Sequence, residues 1–231
     1  MENLLQRYLD MRVANENRVS TQGPVVTISR EYGCPSKLLA DMLVSQINLG
    51  LNQAGKQGHA WRWISKELLE QAAVDLKVQP KDITYVYNYE ERSWVDDLLA
   101  ATKKDGSYRS DRAIRNAIGK VIRSYGESGH VVIVGRAGMA VTRQIPESLH
   151  IRLIAPLEWR IARISEVYNL GRDEAMNTIQ HKDDNRRKFL EFFLGHEFRY
   201  HDFDAVFNCA SLSLEQISAA VRQLMIGKKL I

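Results

Sequence analysis

The sequence predicts an α/β fold, a central parallel sheet of about five strands with helices on both faces. Two observations predict it. Short β-branched runs recur along the chain, at Val25-Val26-Thr27-Ile28, His130–Val134, Leu149–Ile154 and Ala205–Asn208. Amphipathic stretches at helical spacing separate them. The strands read as nearly continuous apolar runs, as strands buried on both faces of a parallel sheet do.

Taken in order, Leu4, Leu5, Tyr8, Leu9 and Met11 recur at helical spacing, and residues 15–22 read as a polar connector. Gly23-Pro24 is a turn signal before the first strand, Val25–Ile28. A helix over Leu38–Leu49 follows, then a loop over Gly50–Gly58 and a short strand within Ala60–Ile64. Ser65 is placed to cap the next helix, SKELLEQAAVDL, because its hydroxyl can accept from free N–H groups. Pro80–Tyr108 reads as irregular structure with a helix near Trp94–Thr102, and Asp111–Gly126 as a helix. His130–Val134 is the clearest buried strand, and Leu149–Ile154 is the next. Helices are expected over Leu157–Tyr168 and Asp173–Phe193, the latter with a break near His181. Ala205–Asn208 closes the sheet and Leu214–Met225 forms a last helix.

The 231 residues suit one domain with a sizeable core. A net charge of +4 suits an acidic small ligand, and no Lys/Arg block resembles a nucleic-acid-binding arm. The two cysteines, Cys34 and Cys209, form no metal-ligand spacing and point to a reducing compartment. No signal-like N-terminus and no apolar run of membrane-spanning length is visible, so the expected setting is cytoplasmic, with no membrane partner. The histidines have no metal or triad spacing.

The segment VVTISREYGCPSKLLADML carries the most chemistry. It reads as strand, short loop and helix, the layout in which helix N-terminal N–H groups and a lysine hold phosphate oxygens. Gly33 and Lys37 are in place, whereas Ser36 precedes the lysine, Leu38 follows it, and Pro35 removes one N–H. Taken alone, the motif also fits a plain strand–turn–helix with a surface lysine.

With the residues that follow, the segment resembles the opening of the cytidylate kinase-like family, whose loop reads S-R-x-x-G-S-G-G-R. Here Ser29, Arg30 and Gly33 match, Lys37 stands for the arginine, and Cys34-Pro35-Ser36 replaces the small residues between. SKELLEQAA resembles the family's D-K-E-L-L-E-E-A. VVIVGRAG is similar to V-I-V-G-R-G, and IAPLEWR to A-P-L-x-x-R. DDNRRKF resembles D-x-x-R-x-x-Y, and FDAVFNCASLSLEQ resembles Y-D-L-V-L-N-T-S-x-L-x-L-E. Five matches in order, from about Val25 to Gln216, are more specific than any one of them.

The resemblance implies a three-layer P-loop kinase fold spanning 1–231 as one domain, with a nucleoside monophosphate-binding segment at 65–125 and a lid at 172–200. It implies ATP and Mg2+ as cofactors and nucleotides as substrates, with CMP or dCMP as acceptor, and it permits a homodimer. Another small acceptor, or a relative that has lost catalysis, is the alternative. Arg30, Gly33, Ser36, Lys37 and Leu38 fall in the phosphate loop. Arg136 would hold the acceptor phosphate, Asp183 would contact the base or orient an arginine, and Arg160 and Arg186 would neutralise the transferring group. No residue is a metal ligand. The alternative for Arg136 is a surface arginine paired with an acid, and Asp183 and Arg186 could equally be part of a solvated, salt-bridged helix. Cytidylate kinases carry an aspartate after this arginine, where Ala137 stands here. Asp204 is expected to play a structural part.

Overall fold

The computed structural model describes residues 23–55, 60–65 and 111–231, with side chains from 115 onward in the last segment. The helix expected at Leu4–Met11, the one opening at Ser65 and the aromatic stretch around Tyr85–Trp94 lie outside those residues, apart from Ser65 itself.

Five parallel strands form one sheet: β1 (Val25–Arg30), β2 (Arg62–Ile64), β3 (Val131–Val134), β4 (Ser148–Ile154) and β5 (Ala205–Asn208), in the order β2-β3-β1-β4-β5. β1 is central, with Val25 beside both Val131 and Ser148 and Ser29 beside Arg152. Among the described residues the α-helices are α1 (Ser36–Gln53), α2 (Asp111–Ser128), α3 (Gly138–Thr142), α4 (Leu157–Tyr168), α5 (Arg172–Leu194) and α6 (Leu214–Gly227).

Strand alternation sorts the core into two layers. Val26, Ile28, Leu149, Ile151 and Leu153 pack with Leu39 and Leu43 of α1 and Ile217 and Val221 of α6. On the opposite face Val25, Val131 and Ile133 pack with Ile118 and Ile122 of α2, Met139 of α3 and Phe189 of α5. A smaller cluster of Ile161, Ile164, Ala175 and Ile179 joins α4 to α5.

Most elements match the sequence reading within a few residues. α1 extends beyond the expected Leu38–Leu49 at both ends. The break expected near His181 is absent: α5 runs uninterrupted for 23 residues. It has neither proline nor glycine inside, Asp173 and Glu174 suit its N-terminal dipole, and the left-handed Gly195 ends it. α3 was not expected, since five residues are too few to show a helical period. Asp204 is structural, as expected. It accepts from the N–H of His150 at 2.7 Å and pairs with Lys228 at 2.7 Å. α6 starts with a capping box between Ser213 and Gln216.

Candidate active site at the carboxyl edge of the sheet

Because the strands are all parallel, their carboxyl ends gather at one edge, the usual ligand edge of open α/β sheets. A cavity of about 200 Å3 opens there. Its walls are the end of β1, the turn from β3 into α3, Arg152 of β4, and the middle of α5 from Lys182 to Leu190.

The β3–α3 turn is unusual. Gly135, Arg136 and Ala137 take φ of 74°, 56° and 54°, three successive left-handed residues. For arginine and alanine this conformation costs roughly 1–2 kcal/mol each, and such strain gathers at functional sites. It throws Arg136 into the cavity wall. Gly135 suits the turn because its φ favours glycine, and a Cβ there would collide with the guanidinium of Arg30 and make that side chain shift. The Gly135 N–H donates to Ile28 O at 3.0 Å, tying the turn to β1.

Cations dominate the walls. Arg30, Arg136, Arg152, Lys182, Arg186 and Arg187 line the cavity, and among the described residues Asp183 is its only acid. Arg152 rises from β4 and donates to Ser29 Oγ at 3.1 Å. Its guanidinium lies 4.5 Å from the Phe198 ring centre and 5.5 Å from that of Phe203, which fixes its plane. Its Nε is buried without a hydrogen-bond partner. Arg186 stacks 5.0 Å from the Tyr32 ring centre. Burial lowers the pKa of Arg30, and the nearby charges of Arg186 and Arg136 lower it further. Burial likewise lowers those of Arg152 and Arg186. Arginine does not surrender its proton in proteins, so this crowding is electrostatic stress that a bound anion would relieve.

Asp183 is already engaged. One carboxylate oxygen accepts from the backbone N–H of Tyr32 at 2.6 Å, and the other from Nη1 of Arg160. Arg160 is buried and also donates to Ala155 O at 3.0 Å and to Tyr32 O at 3.3 Å, with Glu31 3.5 Å away. Its Cβ and Cγ lie against Gly33. Arg160 therefore braces the loop after β1 against α5 from behind the cavity.

The sequence-predicted residues thus divide. Arg30, Arg136, Asp183 and Arg186 converge on the cavity. Gly33, Ser36, Lys37, Leu38 and Arg160 are not in its lining. Lys37 and Leu38 are exposed at the start of α1, and Ser36 is buried. In the loop itself Cys34 N–H donates to Glu31 O and Ser36 N–H to Cys34 O. Arg152, Lys182 and Arg187 were missed as site residues. Arg152 carried a signal, a lone charge in an apolar strand, whereas Lys182 and Arg187 do not stand out in a helix crowded with charge. Among the described residues no group of three or more His, Cys, Asp or Glu could hold a metal, and no helix is long and apolar enough to cross a membrane.

The parallel sheet, the strand–loop–helix after β1 and the cationic edge define a kinase-like α/β protein of the P-loop type. The chain belongs to the cytidylate kinase-like family, whose model matches residues 25–211. Among solved structures, an uncharacterized protein from Eubacterium ventriosum superposes with a TM-score of 0.60 at 16% identity, over 87% of this chain and 98% of that one. Shikimate kinase from Bacteroides thetaiotaomicron gives 0.48 at 12% identity, over 87% and 98%. Dephospho-CoA kinase from Campylobacter jejuni gives 0.39 at 10% identity, over 89% and 98%. No curated protein sequence shows significant similarity.

Proposed function

We propose that the chain transfers the γ-phosphoryl group of ATP to a nucleoside monophosphate, with CMP or dCMP first among acceptors. The observation that carries this reading is the convergence of Arg30, Arg136, Arg152 and Arg186 on one cavity at the carboxyl edge of the sheet. An acceptor phosphate oxygen is already a nucleophile, so the site has no need of a strong general base. Its work is to position two anions and neutralise the charge between them. Arg136 and Arg30 would hold the acceptor phosphate and Arg186 the transferring group. Asp183 and Arg160 would act as positioning residues that set the loop against α5.

ATP with Mg2+ supplies the phosphoryl group and offsets its charge. The start of α1 fits the donor phosphates: it has no side-chain cap and no acid in its first turn, and Lys37 is exposed beside it. Lys37 and this turn would hold the donor, with the metal bound mainly by phosphate and water. A cytoplasmic setting suits such a reaction.

A second reading is favoured by the loop. Tyr32 N–H is taken by Asp183 and Pro35 offers none, so fewer N–H groups remain for a donor. That arrangement suits a family member that binds a phosphorylated ligand without transfer. Ala137 also leaves room for a different small acceptor. The test is ADP release from ATP and Mg2+ with CMP, dCMP and UMP, beside ATP binding to the wild type and to Lys37→Ala. Turnover lost in Arg136→Ala supports the kinase. Phosphate and ATP binding without turnover on any acceptor supports the second reading.

A further inference from the structure

Arg152 stands apart from the other arginines of the cavity. Side chains alternate along β4, so Ile151 and Leu153 face α1 and α6, whereas Arg152 faces α5. It points away from α1, the helix whose start would hold the donor phosphates. Arg30 and Arg136 lie on the other side of β1. The Arg30 guanidinium rests against Gly135, just after β3, and Arg136 follows in the same turn. β3 and β4 flank β1, with Val134 beside Ile28 and Arg152 beside Ser29. Gly135 and Arg152 are therefore nearly level and two strand spacings apart, roughly 10 Å across the backbone.

Neither group crosses to the other. Ser29 Oγ holds Nη1 of Arg152 at 3.1 Å, and the Phe198 ring centre lies 4.5 Å from its guanidinium. Burial lowers the pKa of Arg30 most, then Arg186 and Arg136, and Arg152 least, the order expected of a separate cation. Arg152 also has hydrogen-bonding capacity to spare. Among the described residues its guanidinium makes one hydrogen bond, to Ser29, and Nε is buried without a partner. A guanidinium can offer five N–H donors. The cavity's one described acid, Asp183, is taken by Tyr32 and Arg160.

We propose that Ser29 and Arg152 form a second anion subsite, and that the acceptor carries two anionic groups, one held by Arg30 and Arg136 and the other by Arg152. This rests on the kinase reading for the place of the donor, and takes the acceptor beyond a plain monophosphate. The second group is a phosphate or a carboxylate, since an arginine fork suits both. Pockets for a whole organic ligand usually span about 300–1,000 Å3 and are mostly apolar. This cavity, of about 200 Å3 and walled by cations, suits the charged groups of a ligand instead. In the transfer an oxygen of the first group bonds to the γ-phosphorus as the bond to ADP breaks. The second group anchors the acceptor and does not react.

Isothermal titration of the full-length chain compares three probes. Methylphosphonate has one anionic group, methylenediphosphonate has two phosphonates, and phosphonoacetate has a phosphonate and a carboxylate. Joining two anions makes the second contact intramolecular, so at least one two-group probe should bind about a hundredfold tighter than methylphosphonate. The tighter of the two names the second group. Arg152→Gln should bring that ratio close to unity. Arg136→Ala removes the same charge from the first subsite, and should weaken all three probes while the ratio stands. Ser29→Ala, a smaller change to the sheet, frees Nη1 of Arg152 and should lower the ratio part of the way. A high ratio without turnover on any monophosphate would keep the subsite. The proposal is overturned if the two-group probes bind the wild type no tighter than methylphosphonate, even where CMP is turned over. It is also overturned if Arg136→Ala and Arg152→Gln reduce the ratio alike, because charge and not place would then set it.

Discussion

Asp183, on α5, accepts a hydrogen bond from the backbone N–H of Tyr32, in the loop after β1, at 2.6 Å. The same carboxylate holds Arg160, so one side chain joins three segments distant in sequence. Replacing it with alanine leaves a buried guanidinium short of an acceptor and a loop N–H unpaired. Asp183→Ala is expected to lose about 2 kcal/mol of stability, read as a lower urea midpoint. Asp183→Asn, which keeps an acceptor oxygen, should lose less. An unchanged midpoint in the alanine variant would remove the bracing role.

Gly135 and Arg30 share one space. A methyl group at Gly135 collides with the Arg30 guanidinium and must also adopt a φ of +74°. Gly135→Ala should therefore displace Arg30 and weaken inorganic phosphate binding about tenfold, which is about 1.4 kcal/mol. Isothermal titration with phosphate is the measurement. Unaltered affinity would show that Arg30 does not reach the anion.

Arg152 tests whether the cavity needs a fork or only a charge. Arg152→Lys keeps the cation but loses the planar stack on Phe198 and the donation to Ser29. Phosphate affinity should fall about tenfold with little change in its salt dependence. If lysine matches arginine, the aromatic shelf serves packing alone.

His150 gives the fold a pH dependence. It is buried on β4, with Nδ1 2.9 Å from Thr27 Oγ1, and burial pushes its pKa down to about 4 from an ordinary 6.5. The unfolded chain thus takes up a proton that the folded chain refuses. Stability is full above the unfolded value, falls as pH drops through this window, and levels off below about 4. The loss is about 3 kcal/mol at its largest. Urea midpoints measured from pH 7 to pH 4 should show it, and His150→Gln should flatten the slope. A wild-type slope that persists in the glutamine variant would assign it to carboxylates.

The strands and long helices could be read because their patterns are local. Val131–Val134 and Ala205–Asn208 are apolar runs of strand length, and Leu157–Tyr168 keeps its helical period from end to end. The site could be read where a residue follows a landmark, as Arg136 follows Gly135 at the end of a strand. Arg152 was harder because its meaning comes from register. Only when β4 pairs with β1, with Arg152 beside Ser29, does its charge rise toward the cavity. Thr27, Ser29, His150 and Arg152 then form a polar stripe on one face of the sheet, and no window of sequence shows strands β1 and β4 as neighbours. The part of Arg160 was likewise hidden, because whether an arginine faces a ligand or backs a loop depends on tertiary packing.

The unbroken course of α5 has a mechanical consequence. Its first turn is tied to α4 by Arg172 and Glu158, its middle walls the cavity, and its last turns stack Phe189 and Phe193 against the core, with Phe193 over Gly119 of α2. A continuous ladder of helical hydrogen bonds does not bend at one residue without breaking them. At both flanking glycines, Gly171 and Gly195, an added Cβ would meet nothing within 4 Å. Widening the cavity on that side thus means displacing the helix as a whole, against its ties to α4, to the loop after β1 and to the core. Arginines 186 and 187 then travel together, and the gap opens for every group along the helix at once.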